Sequence, residues 1–232
     1  MTVASIAAGK KAVIFDLFHT LTSVEASSSQ GLPSTSDLLS VDAVAWNEQM
    51  MNTSRERLVG LKTDAFEIIA EMARAIDPTL SDERIKLASD NRLTRFRAAV
   101  LDIPEETVAV LRELKARGKR LGLITNADVT EVAAWGENRI HHLFDSTIHS
   151  CAVGLAKPDR QIYELSLREL DVEAADALFV GDGGSDELEG ARRAGITAVM
   201  FTGVVQWLWP DRVAERAWQA DYVIERLAEL IA

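Results

Sequence analysis

The chain has 232 residues with 47% hydrophobic content, enough for one large domain or a core carrying one insert. A formal net charge of −11 argues against a nucleic-acid backbone or an anionic membrane surface as partner, since either would repel it. The single cysteine, Cys151, leaves no internal disulfide and reads as a small buried apolar residue. The opening MTVASIAAGKK has the wrong charge order for a signal peptide and no stretch is long enough to span a bilayer, so a cytoplasmic protein is expected.

The first element is an unbroken apolar run, Ala12-Val13-Ile14-Phe15, that stops at Asp16 and continues as Leu17-Phe18-His19-Thr20. Such a run reads as a strand buried on both faces, and in open α/β sheets binding groups sit just past the carboxyl ends of these strands. Asp16 is therefore either placed for chemistry or a residue that ends a strand and caps a turn. Residues 23–37 are serine-rich, with Gly31 and Pro33, and predict a loop. Residues 38–100 predict helices throughout, one closing at Asp77-Pro78 and the next running from Ser81 to about Phe96.

From Pro104 the pattern changes. A helix is expected to Arg117, then a strand from Leu121 to Thr125, a helix from near Asp128 and a strand from Ser146 to His149. A helix over 159–170 follows, then a strand at Leu178–Val180 ending in Gly181-Asp182, and a helix from Ser185 to Ala194. Thr197–Phe201 and Tyr222–Ile224 close the series, with Trp207 and Trp209 expected to pack beneath the last helix. Alternation of this length predicts an α/β protein with a doubly wound parallel sheet, its first strand separated from the rest by an α-helical insert.

Three more strand ends or loops carry polar groups: Thr125-Asn126, Lys157-Pro158, and Gly181-Asp182 through Asp186. Strands of one parallel sheet bring their carboxyl ends to one edge, where these groups can converge on Asp16. Hard oxygen donors of this kind suit Mg²⁺ together with a substrate phosphate.

These four segments, in this order, resemble the motifs of the haloacid dehalogenase (HAD) superfamily, and the likeness covers nearly the whole chain. The resemblance implies a Rossmann-like core of residues 1–22 and 101–232, with residues 23–100 as a helical cap of the C1 type. It implies that Asp16 is a nucleophile forming an aspartyl-phosphate, that Mg²⁺ is held by Asp16, the backbone carbonyl of Phe18 and Asp182, and that Asp186 binds the metal directly or through its waters. Thr125 and Asn126 would bind phosphoryl oxygens, and Lys157 would offset charge on nucleophile and phosphate. The substrate implied is a small phosphorylated molecule.

One position departs from the pattern. Phosphatases of the superfamily usually carry a second aspartate two residues after the nucleophile, to protonate the leaving oxygen, and this chain has Phe18 there. Losing a general acid typically costs ~10²–10⁴-fold. His19, at a position usually glycine, is a candidate proton donor and substrate contact, or a loop histidine packed against the cap. The alternatives are a 2-haloacid dehalogenase-type hydrolase acting on a halogenated substrate through an aspartyl ester, and a weakened phosphate-binding or regulatory protein. Arginines at 55, 57, 92, 95 and 97 are candidate contacts to an anionic leaving group, or solvated helix faces.

Overall fold

The computed structural model describes residues 2–232. Every side chain of β1 (Ala12–Phe15) is buried, as an apolar run without alternation requires of a strand covered on both faces. The described residues form a six-stranded, wholly parallel sheet in the order β3-β2-β1-β4-β5-β6. The other strands are β2 (Arg120–Thr125), β3 (Ser146–His149), β4 (Ala177–Gly181), β5 (Thr197–Phe201) and β6 (Tyr222–Ile224). From β1 the chain winds to one side through β2 and β3, then returns to pair β4 with the other edge of β1. This reversal opens a crevice at the carboxyl ends of β1 and β4, where doubly wound sheets bind their ligands.

Helices cover both faces, and the pleat divides the apolar residues between two cores. Val13, Phe15, Leu121, Leu123 and Val180 pack on one side, and Ala12, Ile14, Ile124 and Phe179 on the other. Each such large side chain contributes roughly 1.5–3 kcal/mol of burial free energy. The helices are α1 (Val3–Gly9), α2 (Thr35–Leu39), α3 (Ala43–Asn52), α4 (Ser54–Leu58), α5 (Ala65–Ile76), α6 (Asp82–Leu101) and α7 (Glu105–Ala116). They continue as α8 (Ser150–Val153), α9 (Arg160–Leu170), α10 (Glu187–Arg193), α11 (Val205–Leu208) and α12 (Pro210–Ala217).

Helices α2 to α6 lie between β1 and the rest of the sheet in sequence and have an apolar core of their own, built from Leu39, Trp46, Ile68, Ile69, Met72 and Ile85. Ser34 opens this segment with a reciprocal cap, its hydroxyl accepting from Asp37 N–H while Asp37 accepts from Ser34 N–H. A buried charge network ties the segment to the loop after β2. Arg57 donates to Asp128 at 2.9 Å and Arg92 to Glu131 at 2.5 Å, with Asp128 fully buried. Pairing at this depth is what makes burial of four charges tolerable.

Three local expectations fail. No helix starts at Asp128: its Oδ1 accepts from the backbone and hydroxyl of Thr130, and its Oδ2 is held by Arg57, so the chain runs through turns to 3-10 turns at 135–137 and 141–143. The helix expected from Ser185 begins at Glu187, because Ser185 and Asp186 adopt left-handed conformations at φ 54 and 52. Trp207 does not pack beneath a helix; it is 81% exposed. No helix of the described residues is long and apolar enough to cross a membrane.

Candidate active site

Asp16 follows β1 directly, and its N–H donates to the Val180 carbonyl at 2.9 Å, which anchors it between β1 and β4. Its carboxylate is buried. Oδ2 accepts from the Thr20 hydroxyl at 3.2 Å, and Oδ1 takes the Lys157 ammonium at 2.5 Å. The same ammonium lies 2.5 Å from Oε2 of Glu187, so Lys157 sits between two carboxylates with almost no access to water. Asp16, Asp182 and Glu187 each offer an oxygen, and these lie within 4.8 Å of one another.

The loops holding these groups are built for close approach. Asn126 donates from Nδ2 to the Lys157 carbonyl and accepts the Lys157 N–H at Oδ1, both at 2.8 Å, which locks the lysine's backbone to the end of β2. Gly181 has no side chain because Glu187 needs the space: a Cβ there would stand 2.2 Å from Oε1. Glu187 Oε1 accepts from Gly183 N–H, and Asp182 Oδ1 from Gly184 N–H, each at 3.0 Å. Tyr163 donates to the carbonyl of Glu187 at 2.7 Å and fixes the start of α10.

Electrostatics follow from three buried carboxylates and two cations, Lys157 between Asp16 and Glu187 and Arg216 on Asp182. Burial raises the Asp16 pKa against the pull of Lys157, and burial followed by the Asp16 charge raises that of Glu187 well above the ordinary range. Burial opposes the charge on Lys157, but Asp16 and Glu187 outweigh it and hold the ammonium firmly protonated. A divalent cation shared by the three carboxylates would relieve their mutual repulsion, and a hard-oxygen donor set fits one of the Mg²⁺ type.

Of the residues singled out from the sequence, Asp16, Phe18, His19, Thr125, Asn126, Lys157 and Asp182 line one cavity of about 260 Å³. The Thr125 hydroxyl is buried there with no hydrogen-bond partner. Asp186 is the exception. Its left-handed backbone turns the side chain away to accept from Gln219 at 3.0 Å, and Glu187 takes the inward place. Glu187 is not marked in the sequence, since two adjacent acids follow the glycines and spacing alone does not choose between them. Arg216 donates to Asp182 Oδ2 at 2.6 Å from α12 and has no local signal to mark it.

Phe18 turns its ring toward the helical segment and meets Phe96 edge-on at 5.3 Å between centroids. His19 has φ 62, a conformation that glycine enters freely and other residues reach at a cost of roughly 1–2 kcal/mol. Its ring packs edge-on against Trp209 and its Nε2 lies 3.0 Å from Glu25 Oε2. Burial disfavours the imidazolium, but the Glu25 hydrogen bond and charge outweigh it and raise the pKa of His19. Burial acts against Glu25 as well, yet His19 and Ser23 hold it down at about 2. The titration midpoint of His19, followed by NMR of the ring protons, is therefore expected above 6.5. In Glu25→Gln it is expected to drop, since the group favouring the charged ring is gone while burial remains; an unmoved midpoint would contradict the pairing.

A family model described as haloacid dehalogenase-like hydrolase matches residues 10–195. The chain is 30% identical over 139 residues to a glyceraldehyde 3-phosphate phosphatase of Methanocaldococcus jannaschii, covering 58% of each protein. It is 35% identical over 109 residues to a phosphoserine phosphatase of Thermus thermophilus, covering 46% of this chain and 40% of that one. The chain thus spans about half the length of the relatives it matches. Among solved structures, a HAD phosphatase from Thermococcus onnurineus superposes with a TM-score of 0.61 at 25% identity over 95% of each chain. The L-2-haloacid dehalogenase from Xanthobacter autotrophicus with chloropropionic acid covalently bound has the same fold, with a TM-score of 0.63 at 18% identity over 96% of this chain and 97% of that one. With a family match that alone spans well over half of its length, the chain belongs to the haloacid dehalogenase-like hydrolases.

Proposed function

We propose that the protein is a Mg²⁺-dependent phosphomonoesterase that acts on a small phosphorylated molecule through a phosphoryl ester on Asp16. The observation that carries this reading is the buried trio of Asp16, Asp182 and Glu187, two of them paired with Lys157, beside a Thr125 hydroxyl that lacks a partner. The phosphatase names of the relatives support it.

Asp16, Asp182 and Glu187 would hold the metal, with Asp186 behind them on Gln219. When bound, the cation supplies positive charge that lets an anionic nucleophile approach an anionic phosphate. Lys157 keeps Asp16 ionised and oriented, and its charge is already neutralised in part by Glu187. Thr125 Oγ1 offers a buried hydrogen bond to a phosphoryl oxygen, and Asn126 keeps Lys157 in register. Asp16 attacks phosphorus as the P–O bond to the leaving alcohol breaks; water then attacks phosphorus and releases phosphate, regenerating the carboxylate.

Phe18 carries no proton to give the leaving oxygen. Rates are therefore expected to rise steeply as leaving-group pKa falls across a series of aryl phosphates, and a flat series would mean that another residue, His19 foremost, protonates. The deciding experiment is hydrolysis of an aryl phosphate with Mg²⁺ and with excess chelator. Activity is expected only with the metal, and Glu187→Gln is expected to raise the Mg²⁺ concentration needed far more than Asp186→Asn. Hydrolysis of a 2-haloacid persisting in chelator, with no phosphatase activity, would instead favour the dehalogenase reading, toward which Phe18 points.

A further inference from the structure

The cavity around Asp16 does not end at Phe18. It shares Phe18, His19 and Asn126 with a second cavity of about 380 Å³ that reaches in among the helices of α2 to α6. The leaving group of a phosphate ester held at Asp16 has this space before it. Val24, Trp46, Met50 and Phe96 give it apolar walls, and α6 sends two guanidinium groups into it, Arg92 and Arg95.

The two arginines differ in what they hold. Arg92 is engaged through its other nitrogens: it pairs with Glu131 at 2.5 Å and with Asp128 at 3.5 Å and lies over the Phe96 ring at 4.4 Å, although its Nε, like that of Arg95, is buried without an acceptor. Arg95 makes no hydrogen bond and no ion pair among the described residues, and its Nε is buried with nothing to accept its proton. The other acids nearby are committed elsewhere. Glu25 holds His19, and Asp37, held low by Ser34 and more weakly by the Arg95 charge, accepts from the Ser34 backbone at the start of α2 and makes no hydrogen bond or ion pair with Arg95. A buried guanidinium N–H without an acceptor is costly, and such a group in a native fold calls for an explanation. Arg95 lines the cavity that shares Phe18, His19 and Asn126 with the one around Asp16.

We propose that Arg95 receives an anionic group, a carboxylate or a second phosphate, at the far end of the leaving alcohol, so that the preferred substrates carry a negative charge beyond a short apolar stretch. The proposal rests on the phosphomonoesterase reading above. The guanidinium fork matches the geometry of either anion, and a neutral leaving group would leave it unpaired, so discrimination comes from penalty as well as attraction.

Carboxymethylphenyl phosphate and its methyl ester test it, because they share a leaving phenol and differ by one charge. The ratio of their kcat/KM values is expected to favour the acid by about tenfold or more, chiefly through KM, and to approach unity in Arg95→Gln. Arg95→Lys, which keeps the charge and loses the fork, is expected to fall between. A phosphonomethylphenyl phosphate run beside them separates the two anion sources: an Arg95-dependent preference for either group supports the proposal and identifies the group, and dependence for neither overturns it. If no ester is hydrolysed, the phosphomonoesterase reading alone has failed. Arg95 is then read from calorimetric binding of hydroxyphenylacetate against its methyl ester. Tighter binding of the acid, lost in Arg95→Gln, upholds the assignment, and equal affinities sink it.

Discussion

Asp16→Asn is expected to lower hydrolysis of an aryl phosphate by at least about 10⁴-fold, with little change in the fold. The amide is nearly the same size as the carboxylate, so the packing between β1 and β4 survives. In the proposed reaction the amide also removes the attacking anion and one of the three negative charges offered to the metal. A second consequence separates this loss from simple destabilisation. With Asp16 neutral, Lys157 keeps only Glu187 as a buried counter-charge, and the amide can still accept from the ammonium. Thermal unfolding should therefore move by a few degrees while turnover disappears. Retention of turnover in the variant, measured as phosphate release over hours, would remove Asp16 from the chemistry.

Lys157→Met is expected to be the most destabilising single change at the site, by about 3–5 kcal/mol, because it strands two buried carboxylates. Asp16 and Glu187 each lie 2.5 Å from Nζ and neither has another cation on that oxygen. Methionine conserves most of the volume, so a cavity contributes little. The loss should be read by denaturant unfolding without metal and again with Mg²⁺. If the carboxylates are the metal's donors, Mg²⁺ recovers part of the stability, since a divalent ion replaces the missing positive charge. Equal stability of variant and parent in metal-free buffer would show that Lys157 is not the counter-ion the geometry makes it.

The gap between what the residues foretell and what the fold does is narrow in places. The four polar segments converge as the strand ends require, and Asn126 joins Lys157 through paired hydrogen bonds that no spacing rule announces. The second acid of the Gly181-Asp182 segment shows where local reading stops. Asp186 and Glu187 are neighbours, and which points inward depends on the left-handed turn at Ser185 and Asp186 and on the missing Cβ of Gly181. His19 is legible in hindsight: its φ of 62 explains why glycine is the usual residue at that position, and its partner Glu25 lies six residues on. The arginines of α4 and α6 read alike in sequence, yet Arg57 and Arg92 are buried ion-pair partners, while Arg97 is an exposed one held by Glu137.

Taken alone, the sequence determined the alternation of strand and helix, the parallel sheet and the placing of a carboxylate, Asp16, at the end of the first strand. Those features depend on runs of apolar residues and on the stops that follow them, which are local. Tertiary structure decided which carboxylates share a centre, that Arg216 and Gln219 reach back to Asp182 and Asp186, and that Arg95, unlike Arg92, makes no hydrogen bond or ion pair among the described residues. These outcomes depend on distances between side chains far apart in the chain, and on how much water is excluded around them, and neither quantity exists until the sheet and its helices have packed.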